Sequence, residues 1–272
     1  MSHSDLYVEV DRSAYTNALA KASPVTKTFF SISALIICVS ALSLHSFIVP
    51  IIIFITCSFL TLTIAKVKLH LYLDLFLYPT FMVTLSCIFL ALFFGSGDSL
   101  IQIPLPWTTW TIYKGGISTA INTFFSVEGS LSCLFFLVLT TSITDLSLIL
   151  KRIHVPTVLV ELSLLIYRYI FMFMEISHQM STAQKLRLGG RGWLKKIRDT
   201  ALLVGNLFIR TLEQGERVFV AMNARGYDGN IYVLEDFPKP KKTILATIVL
   251  FDIFLIIMIF LTTNIGVIAY AV

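Results

Sequence analysis

A run of 38 residues, from position 28 to position 65, contains no Asp, Glu, Lys or Arg and a single histidine, His45. A continuous helix of that length would reach about 57 Å at about 1.5 Å per residue, whereas the hydrocarbon core of a bilayer is about 30 Å thick. The run therefore predicts two membrane-spanning helices, about 26–44 and 47–65, which fold back near His45.

The composition extends this prediction to the whole chain. Of 272 residues, 56% are hydrophobic and only 14% are charged. So little polar surface cannot coat a water-soluble fold, and so many apolar residues exclude disorder. Three further apolar runs predict spans at about 75–94, 117–141 and 243–263. The predicted fold is an all-α membrane protein with five transmembrane helices and two long cytoplasmic helices between spans four and five.

Lysine and arginine are concentrated on one side of this arrangement. The N-terminal segment has three, the turn at 66–68 has two and segment 145–242 has fifteen, whereas the 45–46 turn has none and the 95–115 loop has Lys114 alone. Because Lys and Arg accumulate in cytoplasmic loops, we expect the N-terminus and 145–242 in the cytoplasm and the C-terminus outside.

The resulting organisation has four parts. They are a cytoplasmic N-terminal segment at 1–25, a membrane domain with four spans at 26–144, a cytoplasmic segment at 145–242, and a last transmembrane helix with the C-terminus at 243–272. All four cysteines fall inside predicted spans without CxxC spacing. They are therefore predicted to be small packing residues rather than a disulfide or zinc framework.

Segment 145–242 contains two long helical patterns, about 156–188 and 200–225. Both are too apolar to lie bare in water and too interrupted by charge to be predicted spans. Each ends in an arginine with glycine close behind, in Leu186-Arg187-Leu188-Gly189 and Ala224-Arg225-Gly226. An arginine at a helix C-terminus projects positive charge, which suits an acidic groove on a partner. From the pattern alone, contact with lipid headgroups is an equal alternative.

The order of these features resembles the transmembrane coupling subunit, or T component, of energy-coupling factor transporters. The similarity is greatest to the cobalt/nickel branch, the CbiQ-like proteins, and it covers most of the chain. The strings that carry the resemblance are DRSAYTNALAKASPVTK (Asp11 to Lys27), Tyr167-Arg168-Tyr169, Leu186 to Gly190 (LRLGG), and Ala221 to Gly229 (AMNARGYDG). The last of these strings is the most specific.

The resemblance implies a non-catalytic membrane subunit of an ATP-driven importer, in the plasma membrane of a prokaryote, with cobalt or nickel as cargo. In this family two crossing coupling helices insert their ends into grooves on two ATP-binding-cassette ATPase subunits. The same helices hold a substrate-binding membrane S component (CbiM-like here) by hydrophobic contact. Leu188 departs from the commoner Ala-Arg-Gly form of the motif. The implied ATPase-coupling residues are Leu186, Arg187, Leu188, Ala224, Arg225 and Gly226.

Two groups of charged residues remain to be explained. Glu128 and Asp252 fall inside predicted spans, where an acid raises a transport-path hypothesis; we favour interhelix hydrogen bonds or neutral protonated forms. Six others lie on the two cytoplasmic patterns and are predicted to form ion pairs between the helices and with loops, rather than a catalytic cluster. These six are Arg168, Glu175, Arg210, Glu213, Glu216 and Arg217.

No cofactor or metal motif is found. The five histidines form no HxxxH or HExxH pair and no GxxxxGK[ST] string occurs, so neither a metal ion nor a nucleotide is expected on this chain itself. The basic stretch 185–198 is expected to meet the ATPase or anionic lipid rather than nucleic acid. The alternatives are a T component for vitamins and, from another class, an intramembrane enzyme. The sequence does not separate cobalt from nickel.

Overall fold

The computed structural model describes residues 3–20, 22–44, 46–94, 99–104, 109–186, 192–227 and 240–271. The chain forms two compact units. One contains Met1–Ser142 with Phe237–Val272, and the other contains Ile143–Asp236.

Helices dominate both units, and a short hairpin is the only sheet in the described residues. The membrane unit contains α1 to α5 and α9, and the second unit contains α6 to α8. The elements in chain order are α1 (His3–Thr16), α2 (Pro24–Ser43), α3 (Ile48–Phe59), a π-helical continuation of α3 (Leu60–Ile64), α4 (Leu69–Phe93), β1 (Ser99–Pro104), β2 (Thr109–Tyr113), α5 (Lys114–Thr140), α6 (Ile143–Arg152), α7 (Thr157–Leu186), α8 (Trp193–Ala224) and α9 (Lys242–Ala271).

Five of these helices are long and apolar enough to cross a membrane: α2, α4, α5, α7 and α9 over Lys242–Thr262. The predicted all-α membrane class is confirmed. The predicted second span corresponds to Ile48–Ile64, which is shorter than the other five but matches the lower limit of about 17 residues for a spanning helix. Helix α7 is thus long and apolar enough to be a span, although its charged residues predict a cytoplasmic position.

The core of the membrane unit is built around α5, which packs against α2, α3 and α4. Helix α5 lies close against α2 and α3 at Gly129. A Cβ atom there would lie 2.8 Å from Cys38 Sγ and 2.9 Å from the Pro50 carbonyl oxygen. Small residues let helices in a bilayer approach closely enough for backbone and side-chain contact. The four cysteines are free and buried, as expected for packing residues.

Hydrogen bonds across the helices show which helix ends lie together. Lys27, at the start of α2, is 5% exposed and its Nζ donates to the Thr140 carbonyl at the end of α5 at 2.5 Å. Asn17 Nδ2 donates to the Leu139 carbonyl at 3.0 Å, and the Ala18 amide donates to the Ala65 carbonyl in the turn before α4. This end of the unit therefore contains the start of α2, the end of α5 and the turn at 65–68.

Helix α9 begins at the same end. A cavity of about 420 Å³ is lined there by residues of the first turn of α2, of the end of α3 and of the start of α9, including Lys27, Ile64 and Ile244. At the opposite end, the Ser46 and Thr262 hydroxyls share a hydrogen bond of 2.8 Å. The chain thus leaves α5 and enters α9 at one end of the membrane unit.

Several element boundaries differ from the predictions. Helix α4 begins at Leu69 rather than 75, and its first turn contains an i,i+4 pair between His70 Nδ1 and Asp74 at 3.0 Å. The predicted turn at 66–68 is present, but the helix that follows begins before the apolar run because such pairs fit on a helix surface. Similarly, α8 begins at Trp193 rather than 200, because the basic residues that follow are good helix formers.

The segments between the predicted spans also contain short elements that hydropathy does not predict. Within the predicted 95–115 loop, β1 and β2 pair antiparallel, with Gln102 opposite Thr111. The segment predicted at 1–25 contains α1, and α6 precedes α7. These elements are short, so hydropathy alone does not separate them from loops.

Candidate functional site

The C-terminus of α8 has a defined backbone geometry. Gly226 adopts a left-handed φ of 77°, its amide donates to the Asn223 carbonyl at 3.0 Å, and the Tyr227 amide donates to the Met222 carbonyl at 3.1 Å. This pair of bonds is the Schellman arrangement, in which glycine occupies the left-handed position because it has no Cβ. Arg225 is the C-cap residue of that arrangement.

Arg225 is exposed, and the space beside the turn is open: a Cβ placed on its neighbour Gly226 would meet no atom within 4 Å. The carbonyl dipoles at a helix C-terminus favour a cation there. The predicted tip Ala224-Arg225-Gly226 is therefore a fixed turn that presents one guanidinium group at the end of a 32-residue helix.

The first predicted tip is described only at its first residue. Leu186 is the last residue of α7 and is 80% exposed. Arg187 and Leu188 lie outside the described residues.

The six charged residues predicted to form ion pairs are exposed on α7 and α8. Glu213 pairs with Arg217 at 3.7 Å within α8, and Arg217 also donates to the Gln214 side chain. Glu175 accepts a hydrogen bond from Gln179 within α7. Salt bridges among the described residues include none from Arg168, Arg210 or Glu216. A role in pairing the two helices stays a prediction for these six residues.

Contacts that the sequence analysis missed join α7 and α8 at both ends. Gln184 Nε2 donates to the Asp199 carbonyl at 2.9 Å, near the end of α7 and the start of α8. The Tyr227 hydroxyl donates to Glu161 at 3.3 Å, which links the residue after the α8 tip to the start of α7. Glu161 and Tyr227 are far apart in sequence, so no local spacing predicts their contact. The two helices therefore run antiparallel.

Helix α8 has no buried residue. Its exposed apolar side chains recur along its length and include Ile197, Val204, Phe208, Leu212 and Phe219, each more than half exposed. Such an amphipathic helix with an uncovered apolar surface is typical of a membrane interface or of a surface that receives another protein.

The intramembrane acids lie between helices of the membrane unit. Glu128 in α5 is 5% exposed and accepts a hydrogen bond from the Thr80 hydroxyl of α4 at 3.2 Å. Asp252 in α9 is also buried and interacts with the Ser33 side chain of α2. Both acidic side chains therefore form contacts between helices. Nowhere in the described ranges do three His, Cys, Asp or Glu side chains come together as metal ligands.

The chain is similar to a group of transport proteins and to a protein of unassigned function. The family model described as cobalt transport protein, CbiQ, matches residues 19–234. An uncharacterized protein of Methanocaldococcus jannaschii, MJ1089, is 34% identical over 265 residues, which cover 96% of both chains. This match extends over nearly all the elements described above.

Two named relatives are matched over part of their length. A putative fused cobalt transport protein, CbiMQ, of Methanocorpusculum labreanum is 32% identical over 84% of this chain and 38% of its own length. The cobalt transport protein CbiQ of Rhodobacter capsulatus is 35% identical over 40% of this chain and 45% of its own. The chain thus spans less than half the length of these two relatives.

Proposed function

Because the chain belongs to the CbiQ family of cobalt transport proteins, we propose that it is the energy-coupling membrane subunit, or T component, of an ATP-driven importer for cobalt or nickel ions. As a family member with several membrane-spanning helices it is a multi-pass membrane component of cobalt transport. The coupling role is supported above all by one observation: α8 presents Arg225 on a fixed, exposed C-terminal turn.

The proposed topology places the N-terminus, the turn at 65–68 and segment 143–236 in the cytoplasm of a prokaryotic cell. The structure of the membrane unit supports it, because the start of α2, the end of α5 and the start of α9 lie at one end. The same end contains the basic residues Lys66 and Lys68, whereas Lys114 lies at the start of α5. Lys and Arg favour the cytoplasmic side.

The proposal keeps α7 out of the bilayer core. The chain leaves α5 and enters α9 at the same end of the membrane unit, so the segment between them crosses the bilayer an even number of times. If α7 crossed, α8 would have to cross back, and α8 carries too many charges for that. In addition, Arg168 and Glu175 are exposed near the middle of α7. An arginine at the centre of a spanning helix costs about 2.5–3.5 kcal/mol on insertion scales.

The proposed partners follow from the two surfaces of the second unit. Arg225 suits a carboxylate on an ATP-binding-cassette ATPase subunit, because the guanidinium group makes two parallel hydrogen bonds to a carboxylate. The exposed apolar residues of α8 suit a membrane-embedded S component. The name of the fused relative, CbiMQ, supports a CbiM-like partner. Arg187 is proposed as the second coupling arginine, for a second ATPase subunit.

The test is co-purification in detergent of the tagged chain expressed with an ATPase pair and a CbiM-like subunit. We expect recovery of two ATPase subunits and one membrane partner. Arg225→Glu should weaken ATPase association at least about 30-fold, since loss of one member of an interfacial charge pair costs about 2–5 kcal/mol. Arg225→Lys should also weaken it, because lysine cannot form the bidentate contact.

The matched control is Lys151→Glu, which makes the same change in charge at an exposed residue of α6 in the same unit. It should leave association and cobalt uptake unchanged. Uptake by Arg225→Glu at the rate of the parent chain, or cobalt transport by the chain alone in liposomes, would contradict the proposal. Metal analysis of the purified complex would then separate cobalt from nickel.

A further inference from the structure

A second cavity lies in the membrane unit, at the end where α2 begins and α5 ends. Its volume is about 760 Å³, and its described walls are the second half of α1, the residues that follow it and the turn that leads into α4. Three basic side chains line it: Arg12 from α1, and Lys66 and Lys68 from the turn. All of its described lining residues belong to the membrane unit, and the proposed coupling role does not use them.

The described lining of this cavity carries more basic than acidic side chains. Among its described lining residues Glu9 is the only acid, and its Oε1 lies 2.8 Å from Lys68 Nζ. In the part of the chain that the structure describes, no carboxylate lies within 4 Å of Arg12 or Lys66. Among the described residues, two exposed cations therefore face the cavity without a neutralising partner, which is the local charge that an anion requires.

A further observation points to a ligand. Lys66 has a φ of 55° between two buried neighbours, a left-handed backbone that favours glycine over any residue with a Cβ. Strained positions of this kind cluster at ligand sites.

We propose that this cavity binds a phosphate ester with a net negative charge. Arg12 and Lys66 hold the phosphate oxygens. A headgroup of an anionic phospholipid and a soluble glycerol phosphate share this chemistry. Basic residues next to a membrane helix attract anionic lipid, and Leu71, in the first turn of α4, lines the same cavity.

The experiment titrates the purified full chain, in a neutral detergent, with short-chain phosphatidylglycerol, short-chain phosphatidylcholine and glycerol 3-phosphate, followed by calorimetry. The test variant is Arg12→Gln/Lys66→Gly. We expect it to bind phosphatidylglycerol about 25-fold more weakly, since each basic residue near an anionic lipid surface contributes about fivefold.

Lys66→Gly keeps the fold testable, because glycine adopts the left-handed backbone of this turn without strain; its thermal midpoint should be no lower than that of the parent chain. The control Lys114→Gln/Lys151→Gln removes the same charge elsewhere and should change binding less than twofold. Binding of glycerol 3-phosphate with the same dependence on Arg12 and Lys66 assigns the site to a soluble ester. Equal binding of phosphatidylcholine, or equal affinity in test and control variants, overturns the proposal.

Discussion

At the scale of single residues, the α8 tip depends on Gly226. Its left-handed backbone allows the Tyr227 amide to reach the Met222 carbonyl. A residue with a Cβ loses about 1–2 kcal/mol in that conformation. Gly226→Ala should therefore loosen the tip, seen as faster hydrogen exchange of the Tyr227 amide, whereas Gly226→Asn should be intermediate because asparagine tolerates this region.

The matched control lies in the same helix. Gly215 is inside α8, and a Cβ placed on it would meet no atom within 4 Å, so Gly215→Ala adds only helix propensity, worth about 1 kcal/mol. Exchange at Tyr227 should be unchanged or slower in Gly215→Ala. Equal exchange in the two alanine variants would show that the turn at Gly226 does not hold the tip.

Residues near in sequence were predicted better than residues brought together by packing. The Ala224-Arg225-Gly226 tip follows from local rules, because a glycine after an apolar helical pattern ends the helix. Nothing local predicts that Lys27 donates to the Thr140 carbonyl or that Tyr227 reaches Glu161. These contacts depend on which helices become neighbours, and a single sequence does not contain that information in its spacing.

At the scale of elements, hydropathy located the helices of the membrane unit but not their ends. The length of an apolar run reflects the thickness of the bilayer, so the predicted spans overlap α2, α3, α4, α5 and α9. Their ends lie in the polar interface, where helix propensity and side-chain pairs determine the residue at which a helix begins or ends. Helix α4 therefore continues through His70 and Asp74, which form a salt bridge on its surface.

The packing of α2, α3 and α5 makes a second prediction, at Gly129. An alanine Cβ would meet Cys38 Sγ at 2.8 Å and the Pro50 carbonyl oxygen at 2.9 Å. The second contact is with backbone, so the helices must separate. Overpacking costs about 1–3 kcal/mol, against a gain of at most about 1 kcal/mol in helix propensity. Gly129→Ala should lower the thermal midpoint of the detergent-solubilised chain.

Gly205→Ala is the control for this prediction, because a Cβ at Gly205 in α8 meets nothing within 4 Å. Its thermal midpoint should equal or exceed that of the parent chain. If Gly129→Ala is as stable as Gly205→Ala, the close approach of α5 to α2 and α3 does not limit the stability of the unit.

At the scale of the whole molecule, two independent patterns indicate the same topology. The sequence places twenty of 21 Lys and Arg residues on one side of the five predicted spans. The structure of the membrane unit places the end of α5 and the start of α9 at one end. Helix α7, by contrast, is long and apolar enough to cross a membrane. Its exposed Arg168 and Glu175 explain why length and apolar content alone do not assign it to the bilayer.

A labelling experiment decides the position of α7. Cysteine is introduced before this helix by Lys151→Cys, after it by Lys195→Cys, and at the start of α5 by Lys114→Cys; all three positions are exposed. A membrane-impermeant maleimide is then applied to right-side-out and inside-out vesicles. We expect the first two to react only in inside-out vesicles, because α7 stays on the cytoplasmic side, and the third to react only in right-side-out vesicles.

The parent chain serves as the blank, since its four native cysteines are buried within the helices and a hydrophilic reagent should not reach them. Reaction of Lys151→Cys from the cytoplasmic side and of Lys195→Cys from the outer side would mean that α7 crosses the bilayer. The Arg225 tip would then lie outside, because α8 carries too many charges to cross back. Reaction of both from the outer side would instead keep α7 at a surface and reverse the orientation of the chain. In either case Arg225 could not be the contact that couples ATP hydrolysis to transport.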